Sequence, residues 1–442
     1  MNLRLVASCG FVFAALLMSG CDSGRQPPGK VSVQVANAAP GFLSLQFQRE
    51  HSDRVVPDEL PFKDVRPYVY DADTYDFYVI EGAVSATDPG RVWTFAPKLE
   101  ERTDYAFVLT EVAGEVQPVV IAIPTAPAAE AQIVALNAAG GLPAMDLYLE
   151  RPGVGIAGAT PRGTFNAQEQ ITPPPLPSGD YELFLTAAGN PADVLLTSPQ
   201  FSLPAGTTST IVVVPESGQS TARVSALLLQ GVATLLFDRN APAELRGINA
   251  ATDQAPRDLV VDSQFSPPLF SAMPFAEPTA YAPTPIGVVN VNVTPVGNPG
   301  VLELDSRFST FVGQRLTMLF SGPAGALLSV VAGDDVRRLN SGAKLRFMNS
   351  ASQFFAVNFV VTFPDGDPLQ VPPLAQLFSP GISDYTPLPP GDYDLTLIQA
   401  GTTTVLSGPT RISVAAGGIY GALAFDGPDT ATASLRLLDD FP

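Results

Sequence analysis

The feature that most constrains this chain is a short motif that occurs four times in its 442 residues. Each copy is an alternating segment that ends in asparagine and is followed by small residues, and the copies read VSVQVAN, AQIVALN, AELRGIN and AKLRFMN. Their asparagines are Asn37, Asn137, Asn249 and Asn349, so the separations are 100, 112 and 100 residues. A motif that returns at this spacing indicates a tandem array of structural units.

The segment before each asparagine alternates in a way that predicts a β-strand. The residues two and four positions before the asparagine are apolar or small, and the residues between them are mixed in character. A period of two places one face of the strand inward, and the asparagine is in phase with that face. We therefore predict a structural role for all four asparagines, because an inward amide can satisfy backbone groups that would otherwise be buried without partners. On this basis, Asn349→Ala is expected to lower stability by about 1–3 kcal/mol.

A second motif follows in each unit and predicts a turn that leads into another strand. Tyr393 follows Gly-Asp in PLPPGDYDLTL, Tyr181 follows Gly-Asp in PLPSGDYELFL, and Tyr75 is the matching tyrosine of the first unit. In the third unit, Val288 is predicted at the tyrosine position. Because glycine and aspartate favour turns, we predict that the three tyrosines are structural residues near the start of a half-buried strand.

Several short strands, frequent turn signals and the lack of a helical period together predict an all-β protein. We expect four tandem immunoglobulin-like antiparallel β-sandwich repeats, each of about seven strands. The predicted repeats span 30–128, 129–240, 241–340 and 341–442, and their boundaries fall in short polar or proline-rich stretches. Because these linkers are short, we expect the four repeats to form a semi-rigid rod.

The repeats resemble a known family of tandem secreted bacterial domains. Members of that family carry a V-R-V-x-H-A-S-P segment and an L-P-A-G-x-Y-x-V strand, and the best match here is AKLRFMNSAS at 343–352 with LFSPGISDYTPLPPGDYDLTL at 377–397. The likeness covers nearly all of residues 30–442, is weaker in repeats 1 and 3, and has asparagine where the family usually has histidine. The resemblance implies an immunoglobulin-like fold and an exported protein. The family has no established activity, so the resemblance implies no reaction and no ligand.

The first 20 residues have the pattern of a lipoprotein signal peptide. Arg4 precedes an apolar run from Leu5 to Leu17, which is too short to span a bilayer as a stable helix. The run leads into Leu-Met-Ser-Gly-Cys21, which resembles a bacterial lipobox, in which the cysteine is acylated and becomes the mature N-terminus. We therefore predict lipid attachment at Cys21, which would anchor the chain to a membrane, and a tether over residues 21–29. An ordinary signal peptide with a chance cysteine is the alternative, and the choice between inner and outer membrane stays open.

Charge and composition argue against several classes of function. The formal net charge is −19, whereas nucleic-acid binding needs clustered Lys and Arg, so no nucleic-acid partner is expected. The chain has two cysteines, Cys9 and Cys21, and one histidine, His51. A zinc site would need more His or Cys residues than the chain has. A Ser-His-Asp centre would need a serine positioned next to His51, and no G-x-S-x-G motif occurs. We therefore predict no catalytic residue, no metal ligand, no cofactor and no enzyme activity.

Acidic residues are the remaining candidates for catalysis or calcium binding. Three adjacent pairs are predicted to be solvated charge, because neighbours in a strand point to opposite faces and no pair recurs at a fixed place in the repeat. These pairs are Glu100/Glu101, Asp334/Asp335 and Asp439/Asp440. Calcium stays open as an alternative in the loop that contains Asp71, Asp73 and Asp76, although these residues also suit a hairpin turn.

Repeat 1 is richer in aromatic residues than the other repeats. Tyr68, Tyr70 and Trp93 are the candidate ligand contacts, because exposed rings can stack on a sugar or a peptide. The alternative is that these rings belong to the core or to an ordinary strand surface.

These observations lead to one functional expectation and one alternative. We expect a non-enzymatic, lipid-anchored protein of the cell envelope that acts as a scaffold, a spacer or an adhesion and binding module. The alternative is a carbohydrate-binding envelope protein. The expected partners are the membrane, through acylated Cys21, and an envelope protein or a polysaccharide. Fold likeness alone does not identify a ligand or an oligomeric state.

Overall fold

The computed structural model describes residues 29–50, 58–82, 90–218 and 220–440. Within these ranges the regular elements are 36 β-strands, and the prediction of an all-β protein is confirmed. Among the same residues, no helix is long and apolar enough to cross a membrane.

Repeat 1 consists of eight strands in two sheets. The strands are β1 (Lys30–Asn37), β2 (Ser44–Arg49), β3 (Asp58–Pro61), β4 (Val65–Asp71), β5 (Phe77–Glu81), β6 (Val92–Phe95), β7 (Asp104–Val112) and β8 (Glu115–Ile123). One sheet has the order β4-β1-β7-β8, and the other has the order β3-β2-β5-β6. We call the sheet that contains the first strand sheet I and the other sheet II, in this repeat and in the others.

Repeat 2 has the same arrangement with some additional short strands. Its strands are β9 (Glu130–Asn137), β10 (Met145–Glu150), β11 (Gly163–Phe165), β12 (Gln170–Ile171), β13 (Leu176–Pro177), β14 (Gly179–Ala187), β15 (Asn190–Thr197), β16 (Phe201–Leu203), β17 (Thr208–Pro215), β18 (Val224–Gln230) and β19 (Val232–Leu236). Sheet I has the order β12-β9-β17-β18-β19, and β13 also pairs with β9. Sheet II has the order β11-β10-β14-β15, and β16 also pairs with β14.

Repeat 3 returns to eight strands. They are β20 (Ala243–Ala251), β21 (Arg257–Val261), β22 (Phe270–Met273), β23 (Ala282–Thr284), β24 (Gly287–Pro295), β25 (Leu304–Thr310), β26 (Arg315–Gly322) and β27 (Leu328–Gly333). Sheet I has the order β23-β20-β26-β27, and sheet II has the order β22-β21-β24-β25.

Repeat 4 differs from repeat 3 in one strand, which is divided in two. Its strands are β28 (Ala343–Asn349), β29 (Ala356–Thr362), β30 (Ala375–Phe378), β31 (Gly381–Ile382), β32 (Thr386–Leu388), β33 (Gly391–Gln399), β34 (Val405–Val414), β35 (Ile419–Asp426) and β36 (Ala433–Asp439). Sheet I has the order β31-β28-β35-β36, with β32 also on β28, and sheet II has the order β30-β29-β33-β34.

The four repeats therefore share one topology, in which the strand that ends in the recurring asparagine is central in sheet I. Among the described strands, pairing within each repeat is antiparallel with one exception. In each repeat the first strand runs parallel to one of its neighbours in sheet I. The four parallel pairs are β1–β7, β9–β17, β20–β26 and β28–β35. The sandwiches are thus antiparallel apart from this one central pair in each.

Each sandwich has its own apolar core between sheets I and II. The inward positions predicted from the alternation lie in these cores, for example Val33 and Val35 in repeat 1 and Leu345 and Phe347 in repeat 4, all with no exposed surface. Burial of these side chains supplies the main favourable free energy of each sandwich, since the described residues offer no disulfide.

The other face of sheet I is also buried, because the repeats pack against one another in pairs. In the pair formed by repeats 1 and 2, the two sheets I lie back to back around a second apolar cluster. Its members from repeat 1 include Ala36, Val108 and Ile121, and those from repeat 2 include Leu136, Val212 and Leu227. Repeats 3 and 4 pair in the same way, through Ile248 and Leu319 on one side and Met348, Leu423 and Leu438 on the other.

The pairs are also connected to each other. The linker between repeats 3 and 4 (residues 334–342, the 3–4 linker) lies against repeat 1, where the backbone N–H of Asn340 donates to the Gly41 carbonyl at 2.7 Å and its side-chain Nδ2 donates to Glu111 at 2.8 Å. Arg337 of the same linker donates to the Pro40 carbonyl at 3.3 Å and lies over the Phe62 ring.

This arrangement differs from the predicted rod. The reason is that several residues between the inward positions of the first strands are buried against another repeat instead of facing solvent. Lys344 and Arg346, which alternate with the core residues of β28, are 4% and 0% exposed. Because sheet I of each repeat is packed on both faces, the chain folds back on itself instead of extending repeat by repeat.

Candidate functional site

The four recurring asparagines occupy the same place in each repeat and have no exposed surface. In each case Oδ1 accepts the backbone N–H of the residue two positions on, at 2.9–3.1 Å. In each case Nδ2 donates to a backbone carbonyl in the edge strand of sheet II. These bonds are Asn37–Leu60 (2.8 Å), Asn137–Phe165 (3.5 Å), Asn249–Met273 (3.1 Å) and Asn349–Leu377 (2.9 Å). The amide therefore joins sheet I to sheet II at one end of the sandwich, which is a structural task.

The tyrosines of the second motif are positioned by a bond to the preceding turn. The hydroxyl of Tyr181 donates to the Pro177 carbonyl at 2.6 Å, and that of Tyr393 donates to the Pro389 carbonyl at 2.9 Å. Burial raises the pKa of Tyr393 above its ordinary value. In each of these repeats the bond holds the start of the strand, β14 or β33, against the residues that precede it.

Repeats 1 and 3 depart from this tyrosine geometry. Tyr75 precedes β5 and packs against Tyr70 and Phe77, with the Arg49 guanidinium 4.9 Å from its ring centroid. In repeat 3, Val288 is exposed, and its neighbour Val289 is fully buried in the core. The prediction that Val288 replaces the tyrosine is therefore wrong by one position.

The candidate ligand contacts in repeat 1 fall on two different sheets. Tyr68 and Tyr70 lie on β4 with ring centroids 6.0 Å apart, and both pack against the core of the repeat. Trp93 lies on β6, where its ring contacts Phe42 and its Nε1 donates to Glu115 at 2.9 Å. The structure brings the two tyrosines together and keeps Trp93 apart from them. All three rings are half-buried.

The other sequence candidates lie elsewhere. Cys21 and His51 are outside the described residues. Asp71 forms an ion pair with Lys30 at 2.6 Å, and Asp73 accepts the N–H of Thr74 at 2.8 Å. In the part of the chain that the structure describes, no three His, Cys, Asp or Glu side chains converge in a way that could hold a metal ion.

Two arginines and two aspartates form a buried cluster at the junction of repeats 3 and 4. Arg246 of repeat 3 donates from Nη2 to Asp440 Oδ1 at 2.8 Å and from Nη1 to the Asp440 carbonyl at 2.6 Å. Arg346 of repeat 4 donates from Nη1 to Asp334 Oδ1. All four side chains are at most 3% exposed. Each arginine thus pairs with the aspartate that ends the opposite repeat.

Two tyrosines complete the hydrogen bonding of the aspartates. Tyr281 donates to Asp334 at 2.5 Å, and Tyr385 donates to Asp440 at 2.7 Å. Burial first, and the neighbouring negative charge second, raise the pKa of both tyrosines, so they are neutral donors at ordinary pH. Burial by itself lowers the pKa of Arg246, but the attraction of Asp440 and the other acidic groups outweighs it and raises the pKa.

The cluster corrects one prediction from the sequence. Asp334 and Asp440 are 6% and 2% exposed, so the expectation that these two residues are solvated charge is wrong. They do recur at a fixed place, because each directly follows the last strand of its repeat. The signal that sequence reasoning missed is the arginine three residues before Asn249 and before Asn349, since a buried arginine needs a carboxylate partner.

The corresponding junction of repeats 1 and 2 is open instead of filled. A groove of about 640 Å³ lies where the two sheets I separate, next to the start of β7 and of β17. Polar groups line it from both repeats: Ser32, Gln34, Arg102 and Asp104 from repeat 1, and Thr207, Thr208 and Gln230 from repeat 2. Gln34 Nε2 donates across the junction to the Gly231 carbonyl at 2.9 Å, and Thr208 donates to the Pro124 carbonyl at 2.6 Å. This groove is the candidate binding site of the described residues.

Comparisons with known proteins identify no family for this chain. No protein-family model matches it, and no match was found among curated proteins. It is similar to the solved structure of the Bacillus anthracis TIE protein, at 10% identity over 90% of this chain and 68% of that chain, with a TM-score of 0.16. It is also similar to a streptococcal ancillary pilin, at 13% identity over 68% of this chain and 100% of that chain, with a TM-score of 0.15. Scores this low carry no argument about function.

Proposed function

We propose that this chain is a non-enzymatic, lipid-anchored protein of the bacterial cell envelope that acts as a scaffold or binding module. The observation that carries the proposal is the way the four sandwiches are held together. Every repeat has one sheet buried against another repeat, and the 3–4 linker is hydrogen-bonded to repeat 1. A body built in this way holds its surface loops at fixed positions, which suits the display of binding surfaces.

Among the roles expected from the sequence, a scaffold is better supported than a spacer. Back-to-back pairing of the repeats gives the chain less reach than four repeats placed end to end would have. The anchor itself is proposed from the sequence, in which Cys21 ends a lipobox-like segment.

An in-cell crosslinking experiment on the tagged full-length protein tests this proposal. We expect one recurrent envelope protein to be recovered from the wild type and from Cys9→Ser, and to be lost from Cys21→Ser, which cannot be acylated at that position. Metabolic labelling with a fatty-acid analogue should mark the first two proteins and not the third. Equal labelling of Cys21→Ser and the wild type would contradict the anchor, and recovery of no protein partner from the wild type would contradict the scaffold.

Carbohydrate binding is the second candidate function. The observation that favours it is the groove between repeats 1 and 2, whose lining offers hydroxyl, amide and charged side chains from two repeats. Grooves at domain junctions are common ligand sites. Titration of the full chain with oligosaccharides, described below, tests this candidate together with its site.

A further inference from the structure

We infer that the groove between repeats 1 and 2 binds a segment of a neutral oligosaccharide or polysaccharide. This inference rests on the second candidate function, carbohydrate binding, and specifies its site and the chemistry of its ligand. It does not depend on the lipid anchor or on the scaffold role.

The first argument is a comparison of the two junctions within the chain. Gln34 lies three residues before Asn37, as Arg246 lies three residues before Asn249. Gly231 directly follows β18, as Asp440 directly follows β36. Both pairs make the same contact, because Gln34 donates to the Gly231 carbonyl and Arg246 donates to the Asp440 carbonyl.

The side chains at these matching positions explain why one junction is filled and the other is open. In repeats 3 and 4 the space holds the guanidinium groups of Arg246 and Arg346, and each lies over a tyrosine ring. The distance from the guanidinium carbon to the ring centroid is 5.0 Å for Arg246 and 4.0 Å for Arg346. In repeats 1 and 2 the positions that match Arg246, Arg346, Asp440 and Asp334 hold Gln34, Val134, Gly231 and Pro124, which are uncharged and, for both arginines, shorter. Gln34, Gly231 and Pro124 line the groove, and Val134 is buried in the apolar cluster between the repeats. The same backbone arrangement therefore leaves a volume of about 640 Å³, within the usual range for ligand sites of about 300–1,000 Å³.

The second argument is the chemistry of the lining. Two of the described lining residues are charged, Arg102 and Asp104, and their charges cancel, so the groove favours a ligand without net charge. Ser32, Thr207 and Thr208 add hydroxyl groups, which both donate and accept hydrogen bonds. A ligand rich in hydroxyl groups can pair with these polar groups, whereas an apolar ligand would remove them from water without offering hydrogen bonds in exchange.

A peptide fits this groove less well than a sugar. An extended peptide usually binds by adding a strand to a free sheet edge. Both edge strands of sheet I of repeat 1, β4 and β8, reach the groove; Pro67 lies within β4, and Pro124 directly follows the end of β8. Proline lacks the N–H of a strand partner and is one of the means by which proteins block strand addition.

The test is calorimetric titration of the full chain in a detergent without a sugar headgroup. The probes are neutral hexasaccharides of β-1,4-glucose, α-1,4-glucose, β-1,4-mannose and β-1,4-N-acetylglucosamine, and a pool of casein peptides represents the competing class. The variant that fills the groove is Gln34→Arg/Gly231→Asp, which copies the Arg246–Asp440 contact. The matched control is Gln370→Arg/Gly401→Asp, which makes the same changes at exposed positions of repeat 4. Gly231 and Gly401 have similar φ angles, 83° and 75°, and a Cβ meets open space at both.

We expect at least one hexasaccharide to bind the wild type saturably, the groove-filling variant to bind it at least tenfold more weakly, and the control to stay within twofold. If the filled variant does not fold, as judged by its unfolding transition, Arg102→Gln/Asp104→Asn replaces it, with an expected weakening of at least threefold. Unchanged binding in these variants would overturn the site and leave carbohydrate binding standing. Absence of binding by every sugar would overturn both, and groove-dependent binding of peptides alone would overturn the neutral-sugar assignment.

Discussion

Replacement of Asn349 by alanine should destabilise repeat 4, and the structure gives the size of the effect. The buried amide accepts the Ala351 N–H at 3.0 Å and donates to the Leu377 carbonyl at 2.9 Å. Asn349→Ala leaves both backbone groups without these partners, and each buried group without a partner costs about 1–3 kcal/mol. Water can enter the space left by the amide and satisfy one of the two groups in part, so we expect a loss of about 2–4 kcal/mol.

Hydrogen exchange measured by mass spectrometry is the appropriate assay, because it reports the opening of repeat 4 separately from the other repeats. Peptides from β28 and β30 should lose protection in Asn349→Ala. The control is Asn358→Ala, which removes only a surface bond from Gln376. If the two variants show equal protection in these peptides, the asparagine does not join the sheets and the reasoning is refuted. Asn137→Ala should cost less than Asn349→Ala, because its bond to the sheet II edge is 3.5 Å long.

Three further predictions concern the contacts between repeats. Asp440→Asn should lower the free energy of unfolding by about 3–5 kcal/mol, because it removes one partner of the buried Arg246–Asp440 ion pair, whereas exposed Asp439→Asn should have little effect; denaturant titration measures both. Because the pKa values of Tyr281 and Tyr385 are raised in the folded protein, the stability they confer is fully present below their unfolded pKa of about 10 and is lost as the pH rises above it. Unfolding transitions recorded from pH 8 to about 11.5 should show this fall, and a double Tyr→Phe variant at these positions should show a smaller one. Arg337→Ala should loosen the 3–4 linker from repeat 1 and increase the radius of gyration seen by small-angle scattering, and unchanged scattering would contradict that role of the linker.

The sequence predicted the sandwiches because their signals are local. Alternation before each asparagine requires only that one face of a strand be apolar, and this is visible in a single segment such as VSVQVAN. The Gly-Asp-Tyr segments likewise carry their turn chemistry with them, although Val288 shows that a weak match leaves the register uncertain by one residue.

The pairing of repeats was not predicted, because it depends on residues far apart in the chain. Lys344 and Arg346 suit the exposed face of a strand, and nothing in their own segment shows that another repeat covers them. Burial lowers the pKa of Lys344 to about 8, against the attraction of Asp335 at 3.2 Å. The groove was missed for the same reason, since its lining comes from two repeats that only the folded chain brings together.

The charged cluster also explains which repeats pair. If repeat 3 packed against repeat 1 or repeat 2, Arg246 would face Gln34 or Val134, would lose Asp440 at 2.8 Å and would keep only Asp334 of its own repeat at 3.8 Å. Removing one partner of a buried ion pair costs several kcal/mol, whereas a matched buried pair adds little net stability over an apolar contact. The main effect of the cluster is therefore to exclude wrong pairings of four sandwiches that share one topology. The junction of repeats 1 and 2 is joined by a different buried ion pair, Lys63 with Glu216 at 2.7 Å, and neither residue lines the groove. The open end of this junction can therefore bind a ligand without disturbing that pair.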